Sequence, residues 1–176
     1  MVEFALVAPL LFLFVTGIIV VAVVAGNQNL LSNGVRDSAR AAAVCGGTAR
    51  NAATQPSTQL PATGGQALQT CSWSALDSYV KARLTQLAGG NALQAPAPDT
   101  NCQKLPSGVA TVCLYTSSNT PATYSGNPLD SCQLGYRVGI SSQYVQPLFV
   151  PLLNVALGGG SSSLTLKANS VATCEQ

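Results

Sequence analysis

The stretch Phe4–Ala25 (FALVAPLLFLFVTGIIVVAVVA) constrains the fold of this chain more than any other. It holds 22 consecutive residues without a charge, and Thr16 carries its sole polar side chain. Such a run is far longer than an ordinary strand, so it reads as a helix. At about 1.5 Å per residue it spans roughly 33 Å, enough to cross the hydrocarbon core of a bilayer. A secretory signal is the rival reading. It fits poorly, because such signals have a shorter apolar core and a basic region before it. Here the first Lys or Arg is Arg36. A simple signal-anchor also carries positive charge on its cytoplasmic flank. The expectation is that a basic leader precedes this segment at synthesis and is absent from the sequence.

The helix is expected to continue past the apolar run. Leu30, Leu31, Val35, Ala39, Ala42 and Ala43 recur at close to 3.6-residue spacing, with Asn, Ser, Arg and Asp on the other faces. Gly46 and Gly47 provide a stop. Pro9 removes one backbone donor and is expected to kink or loosen the helix, and Gly17 weakens it by about 1 kcal/mol against Ala. Ala22 and Gly26 form a small-xxx-small pair that permits close approach of another helix.

Composition closes several other routes. Only 8% of residues are charged and the eight basic residues are scattered, so no electrostatic footprint for nucleic acid is present. The chain has no histidine, which rules out Ser-His-Asp and Cys-His chemistry and any histidine metal site. Six cysteines stand at Cys45, Cys71, Cys102, Cys113, Cys132 and Cys174, none in a close C-x-x-C pair. Zinc sites use such pairs, so the cysteines read as two or three disulfides of an oxidising compartment, with the pairing open. Asp77, Asp99 and Asp130 are far apart and show no catalytic motif, and GGTAR and GGGSSS lack the Lys of a phosphate loop. No cofactor, metal or catalytic residue is expected, and the chain is not read as an enzyme.

Beyond the first helix, 51–70 reads as a loop and Ser72–Leu87 as an amphipathic helix, with Trp73, Leu76, Val80, Leu84 and Leu87 on its apolar stripe. Ser72 or Ser74 caps it. Ala95–Gly108 reads as another loop, Val109–Thr116 as a strand, 117–130 as a turn-rich connection, and Cys132–Ser142 as a half-buried strand. Pro147 and Pro151 argue against a central strand across 144–157, where a short helix from about Pro151 is expected instead. Ser163–Cys174 reads as the last strand. Adjacent antiparallel strands place Cys113, Cys132 and Cys174 within bridging reach. The fold class is therefore α+β: residues 1–46 form a hydrophobic spine helix, and 47–176 a small disulfide-stabilised extracytoplasmic domain, with one packing helix and an antiparallel sheet of three or four strands.

The remaining question is the lone acid, Glu3, at the mouth of the run. Either it stays solvated at the membrane edge, or it meets a cation from another protein; with no Lys or Arg of this chain near it in sequence, the free amino terminus of a neighbouring subunit is the natural candidate. The pair Glu3-Phe4, the apolar helix, Pro9, and the Asn/Ala-rich stretch with arginines from Asn33 to Ala43 together resemble the start of TadE-like pseudopilins of the Tad (Flp) type IV pilus family. The closing stretch, YRVGISSQYVQPLFVPLLNVALGGGSSSLTLKANSVATCE, is similar to the last module of that family. The resemblance implies a pilin-like subunit, minor or main, with Glu3, Phe4, Pro9 and Gly17 serving assembly. It implies a leader removed by a prepilin peptidase, residence in the bacterial cytoplasmic membrane, and transfer by the assembly machinery into a surface filament of its own copies or sibling pilins. In the family the acid sits further from the cleavage point than Glu3 sits from Met1. A membrane-anchored, disulfide-rich extracellular binding module is the alternative reading.

Overall fold

The structure, a computed structural model, describes residues 2–48, 59–60, 69–70, 72–88, 93–99, 101–124, 126–147 and 163–174. One helix, α1, runs from Val2 to Thr48 without interruption, through Pro9 and past the expected stop at the glycines. Pro9 deprives the helix of one backbone bond but does not end it, because the surrounding residues are strong helix formers and the neighbouring bonds persist.

The second half of α1 belongs to the domain. Leu31, Val35, Ala39 and Ala42 are wholly buried, at spacings of four, four and three residues, so they form one stripe. The small Ala side chains let the helix lie close to its neighbours. Ser38 is equally buried, and its hydroxyl donates back to the Gly34 carbonyl at 2.7 Å, so this polar group is satisfied within the helix. Against this stripe packs α2, Trp73–Ala88, through Leu76, Val80 and Leu84, all without exposed surface. Ser72 caps α2: its side-chain oxygen accepts from the Ala75 N–H at 3.1 Å. Asp77 ties α2 to the turn between the strands at Cys102–Lys104 and Thr111–Tyr115, accepting from the Ser107 N–H and hydroxyl.

The main sheet has five strands rather than three or four: β3 (Leu93–Gln94), β4 (Cys102–Lys104), β5 (Thr111–Tyr115), β6 (Arg137–Pro147) and β7 (Ser163–Thr173). All pairings are antiparallel. Strand β6 is central: one edge carries β7 along its whole length, from Arg137↔Thr173 to Pro147↔Ser163, and the other carries β5 and then β3. Val112, Leu114, Val138 and Ile140 face the helices and complete the core. A two-stranded ladder, β1 (Gln59–Leu60) with β2 (Gln69–Thr70), lies within the expected loop 51–70. A short 3-10 turn, Pro128–Ser131, is capped by Asn127, which accepts from the Leu129 N–H at 3.0 Å.

Three further expectations need correction. Strand β6 continues through Tyr144 to Pro147, whereas prolines argued against a strand there. Cys174 donates its N–H to the Tyr136 carbonyl at 2.8 Å, so even-numbered residues of β6 face β7 with their backbone groups and Pro147 faces away. Strand β3 pairs with residues 143 and 144, so among the described residues none asks Pro147 for a donor. Second, β4 forms inside the expected loop Ala95–Gly108, held in register with β5 by a disulfide. Third, Cys113 bonds Cys102 rather than joining Cys132 and Cys174, which bond each other. Cys45 is also disulfide-bonded, while Cys71 lies outside the described residues. The helix expected from Pro151 and the glycine turn after it lie outside the described residues as well.

Candidate functional site

The first half of α1 stands free of the domain. Leu10 is 73% exposed, Phe12 70% and Phe14 67%, and every residue from Leu10 to Val15 is exposed. Six consecutive residues cover more than one and a half helical turns, so no face of the shaft is sheltered. Its most apolar stretch has a mean hydropathy of 2.9 with none of it buried, and the helix is long and apolar enough to cross a membrane. An apolar surface of this extent does not persist in water; lipid or other apolar helices must cover it. Thr16, the one polar side chain of the run, donates to the Phe12 carbonyl at 2.9 Å and so asks nothing of its surroundings.

The residues expected to serve assembly all lie on this shaft. Glu3 and Phe4 are in α1, and their side chains lie outside what the structure describes. Pro9 is exposed on the helix surface. A Cβ placed on Gly17 or Gly26 would meet no atom of this chain within 4 Å, so both glycines leave open grooves on the helix.

Sequence reading missed the junction where shaft becomes core. Asn27 donates its side-chain amide to the Gln146 side-chain oxygen, and Gln28 donates to the Lys167 carbonyl at 3.0 Å. Gln146 is only 7% exposed, so its amide is committed to this contact. These partners are 119 and 139 residues apart in sequence. The only local signal is the run Asn27-Gln28-Asn29 directly after the apolar segment, where each amide can tie a helix to a neighbouring strand. From the junction, α1 runs along β7 in the same direction: Gln28 sits at Lys167, and Arg40 and Ala43 lie beside Ser170–Thr173.

Polar features elsewhere are sparse. Arg83 of α2 pairs with Asp37 of α1 at 3.6 Å. Its pKa is raised, first by a hydrogen bond with Tyr79 and then, against the effect of burial, by the charges nearby. Both partners are more than a third exposed, so the pair adds little stability. Two concavities mark the domain. A groove of about 340 Å³ lies on the sheet face turned away from α1, with Tyr115, Gly139, Lys167 and Asp99 among its walls. Gly139 is needed there, since a Cβ would stand 2.9 Å from the Tyr115 ring. A cleft of about 760 Å³ lies between α1 and the end of β7. Asp77 is held by Ser107, Asp99 lines the groove, and Asp130 is exposed on the 3-10 turn, so these acids sit on three separate elements. Among the described residues, no group of three or more His, Cys, Asp or Glu gathers as a metal site.

No curated protein and no solved structure matches the chain significantly. One family model does match, that of TadE-like protein, over residues 1–40, which take in the shaft, the junction and the first buried turns of the core helix. Over that segment the chain is similar to TadE-like proteins.

Proposed function

We propose that this chain is a structural subunit of a Tad-type pilus, held in the bacterial cytoplasmic membrane by its N-terminal helix and then packed through that helix into a surface filament. The coarser statement, a Tad pilus-associated membrane protein, is what the TadE-like stretch and the uncovered helix support together. TadE-like proteins are pilus-related structural proteins, and a structural role fits a domain whose acids are dispersed. One observation carries the proposal: a single unbroken helix is bare from Val7 to Val23 and locked into the domain core from Leu31 to Cys45. A tether needs only the first property. A spine that must place a domain at a fixed angle and height needs both.

In this reading residues 1–46 are the spine and 47–176 the outward domain. Lipid already removes the shaft from water, so the hydrophobic effect alone does not drive transfer into a bundle. Close packing at small residues such as Gly17 and Gly26, and a charge pair at Glu3, supply the preference and the register. Prepilin peptidase and the assembly machinery act before that step. The partners are copies of this chain or sibling pilins.

The test is to shear filaments from cells and identify the chain and its first residue by mass spectrometry. The intact helix should be present in fibres. Glu3→Ala and Glu3→Gln should each lower incorporation by about tenfold, the worth of one charge-assisted hydrogen bond in a dry site. Fibres without the chain, fibres holding only a form lacking the helix, or normal incorporation of both variants would each defeat the proposal.

A further inference from the structure

Beyond Lys167 no described strand covers the outer edge of β7, and the cleft beside it is basic. Cys174 bonds Tyr136 through its N–H, which sets even-numbered β7 residues toward β6 and odd-numbered ones outward. The Lys167 carbonyl fits this phase, since it accepts from Gln28 on the outer side. Beyond it, Asn169, Val171 and Thr173 turn their backbone N–H and C=O groups outward, and no described strand pairs with them. All three are exposed. An unpaired strand edge of this kind is a template for an added strand.

The cleft of about 760 Å³ follows this stretch of edge, from Ser170 to Thr173. Arg36 and Arg40, one turn apart on α1, line it together with Arg137, which pairs with Thr173. Among the described residues no Asp or Glu lines the cleft. Asp37, the nearest acid in sequence, is turned toward α2 and Arg83. Arg137 uses one nitrogen to donate to the Asn119 side-chain oxygen at 2.7 Å, which leaves its other donors available. Three arginines thus line one cleft without a carboxylate among the described residues. Guanidinium binds planar oxyanions such as carboxylate in fork geometry, and a carboxylate can be carried on an added strand.

We propose that the β7 edge from Asn169 to Thr173 docks an extended acidic segment of a different polypeptide. That segment adds as a further strand, and its carboxylates lie on Arg36, Arg40 and Arg137. A second copy of this chain is a poor source. Its six acids, Glu3, Asp37, Asp77, Asp99, Asp130 and Glu175, are all far apart, so none of its strands presents two carboxylates on one face. The proposal stands independently of the filament reading.

The experiment uses the full chain in non-ionic detergent and a fluorescein-labelled peptide of alternating Glu and Val, read by fluorescence anisotropy. The peptide should bind, and a Lys-Val peptide should not. Methylating alternate backbone nitrogens of the Glu-Val peptide should abolish binding, because those groups meet the strand edge. The variant Arg36→Gln/Arg40→Gln, with unchanged circular dichroism, should bind at least about tenfold more weakly, the loss expected for one or two charge-assisted hydrogen bonds. Four outcomes would overturn the proposal: no binding, equal binding of the methylated peptide, equal competition by inorganic polyphosphate at matched charge, or unchanged affinity in the variant. The first two arms need no variant, so they decide the matter even if the substituted chain fails to fold.

Discussion

Replacing Phe14 by Arg separates a shaft that merely moors a domain from one that packs among other helices. Phe14 lies near the middle of the 22-residue run and is 67% exposed in the isolated chain, so the substitution disturbs nothing within the molecule. Fifteen residues of the run are Leu, Ile, Phe or Val. On the insertion scale they contribute roughly −0.3 to −0.6 kcal/mol each, or about −4.5 to −9 kcal/mol together. Arg at the centre adds about 2.5–3.5 kcal/mol, and the lost Phe brings the change to roughly 3–4 kcal/mol. The sum remains negative, and the Arg side chain can snorkel toward a headgroup. Phe14→Arg should therefore still enter the membrane. Inside a helix bundle there is no such escape. An unpaired buried charge costs about 3–5 kcal/mol, a factor of roughly 150 or more at each contact. The assay compares resistance to alkaline extraction from membranes with recovery in sheared fibres, using Phe14→Leu as the control. Phe14→Arg should be integral to membranes and missing from fibres, while Phe14→Leu matches the parent in both. Fibres carrying Phe14→Arg at the parent level would refute the reasoning, because the shaft would then not be buried in a bundle.

Two further predictions concern the domain. The Cys132–Cys174 bond closes a loop with a sequence separation of 42 and the Cys102–Cys113 bond one of 11, and the two loops do not overlap. Chain-entropy arithmetic gives about 3.9 and 2.8 kcal/mol, so Cys132→Ala/Cys174→Ala should lower the urea midpoint more than Cys102→Ala/Cys113→Ala; the reverse order would rule out loop closure as the source. Burial raises the pKa of Tyr124 above its ordinary 10.0. The folded state therefore holds the phenol proton to higher pH than the unfolded state does, so this contribution is complete below about pH 10 and is lost as pH rises through the folded value. The parent should lose stability in that alkaline window and Tyr124→Phe should lose less, as read by urea midpoints across pH; parallel curves would contradict this.

Much of the fold was legible because its local signals agreed with each other. The apolar run, the Leu31–Val35–Ala39–Ala42 stripe and the Ser72-capped helix all follow from side-chain period and capping, which need no tertiary information. Strands β5 and β7 announced themselves by β-branched residues and alternation. Strand β4 did not, since Cys-Gln-Lys has no strand preference; it forms because Cys102 is bonded across to Cys113. Tertiary context likewise overrode the prolines, because Pro147 occupies a place where no donor is required. For the site, sequence marked the shaft but not the junction. Asn27 and Gln28 looked like ordinary solvated amides until Gln146 and Lys167 were brought beside them.

That junction has a mechanical consequence. Nothing between Val24 and Leu31 breaks the α-helix, and two amide contacts fasten it at the level where β6 ends. Tension along the rod is therefore passed sideways into the β6–β7 pair, whose eleven register partners resist it in shear rather than peeling one by one. The Cys132–Cys174 bond clamps the far end of that pair. An assembly of such subunits, when stretched, should yield first by rods sliding past one another, with each domain still folded.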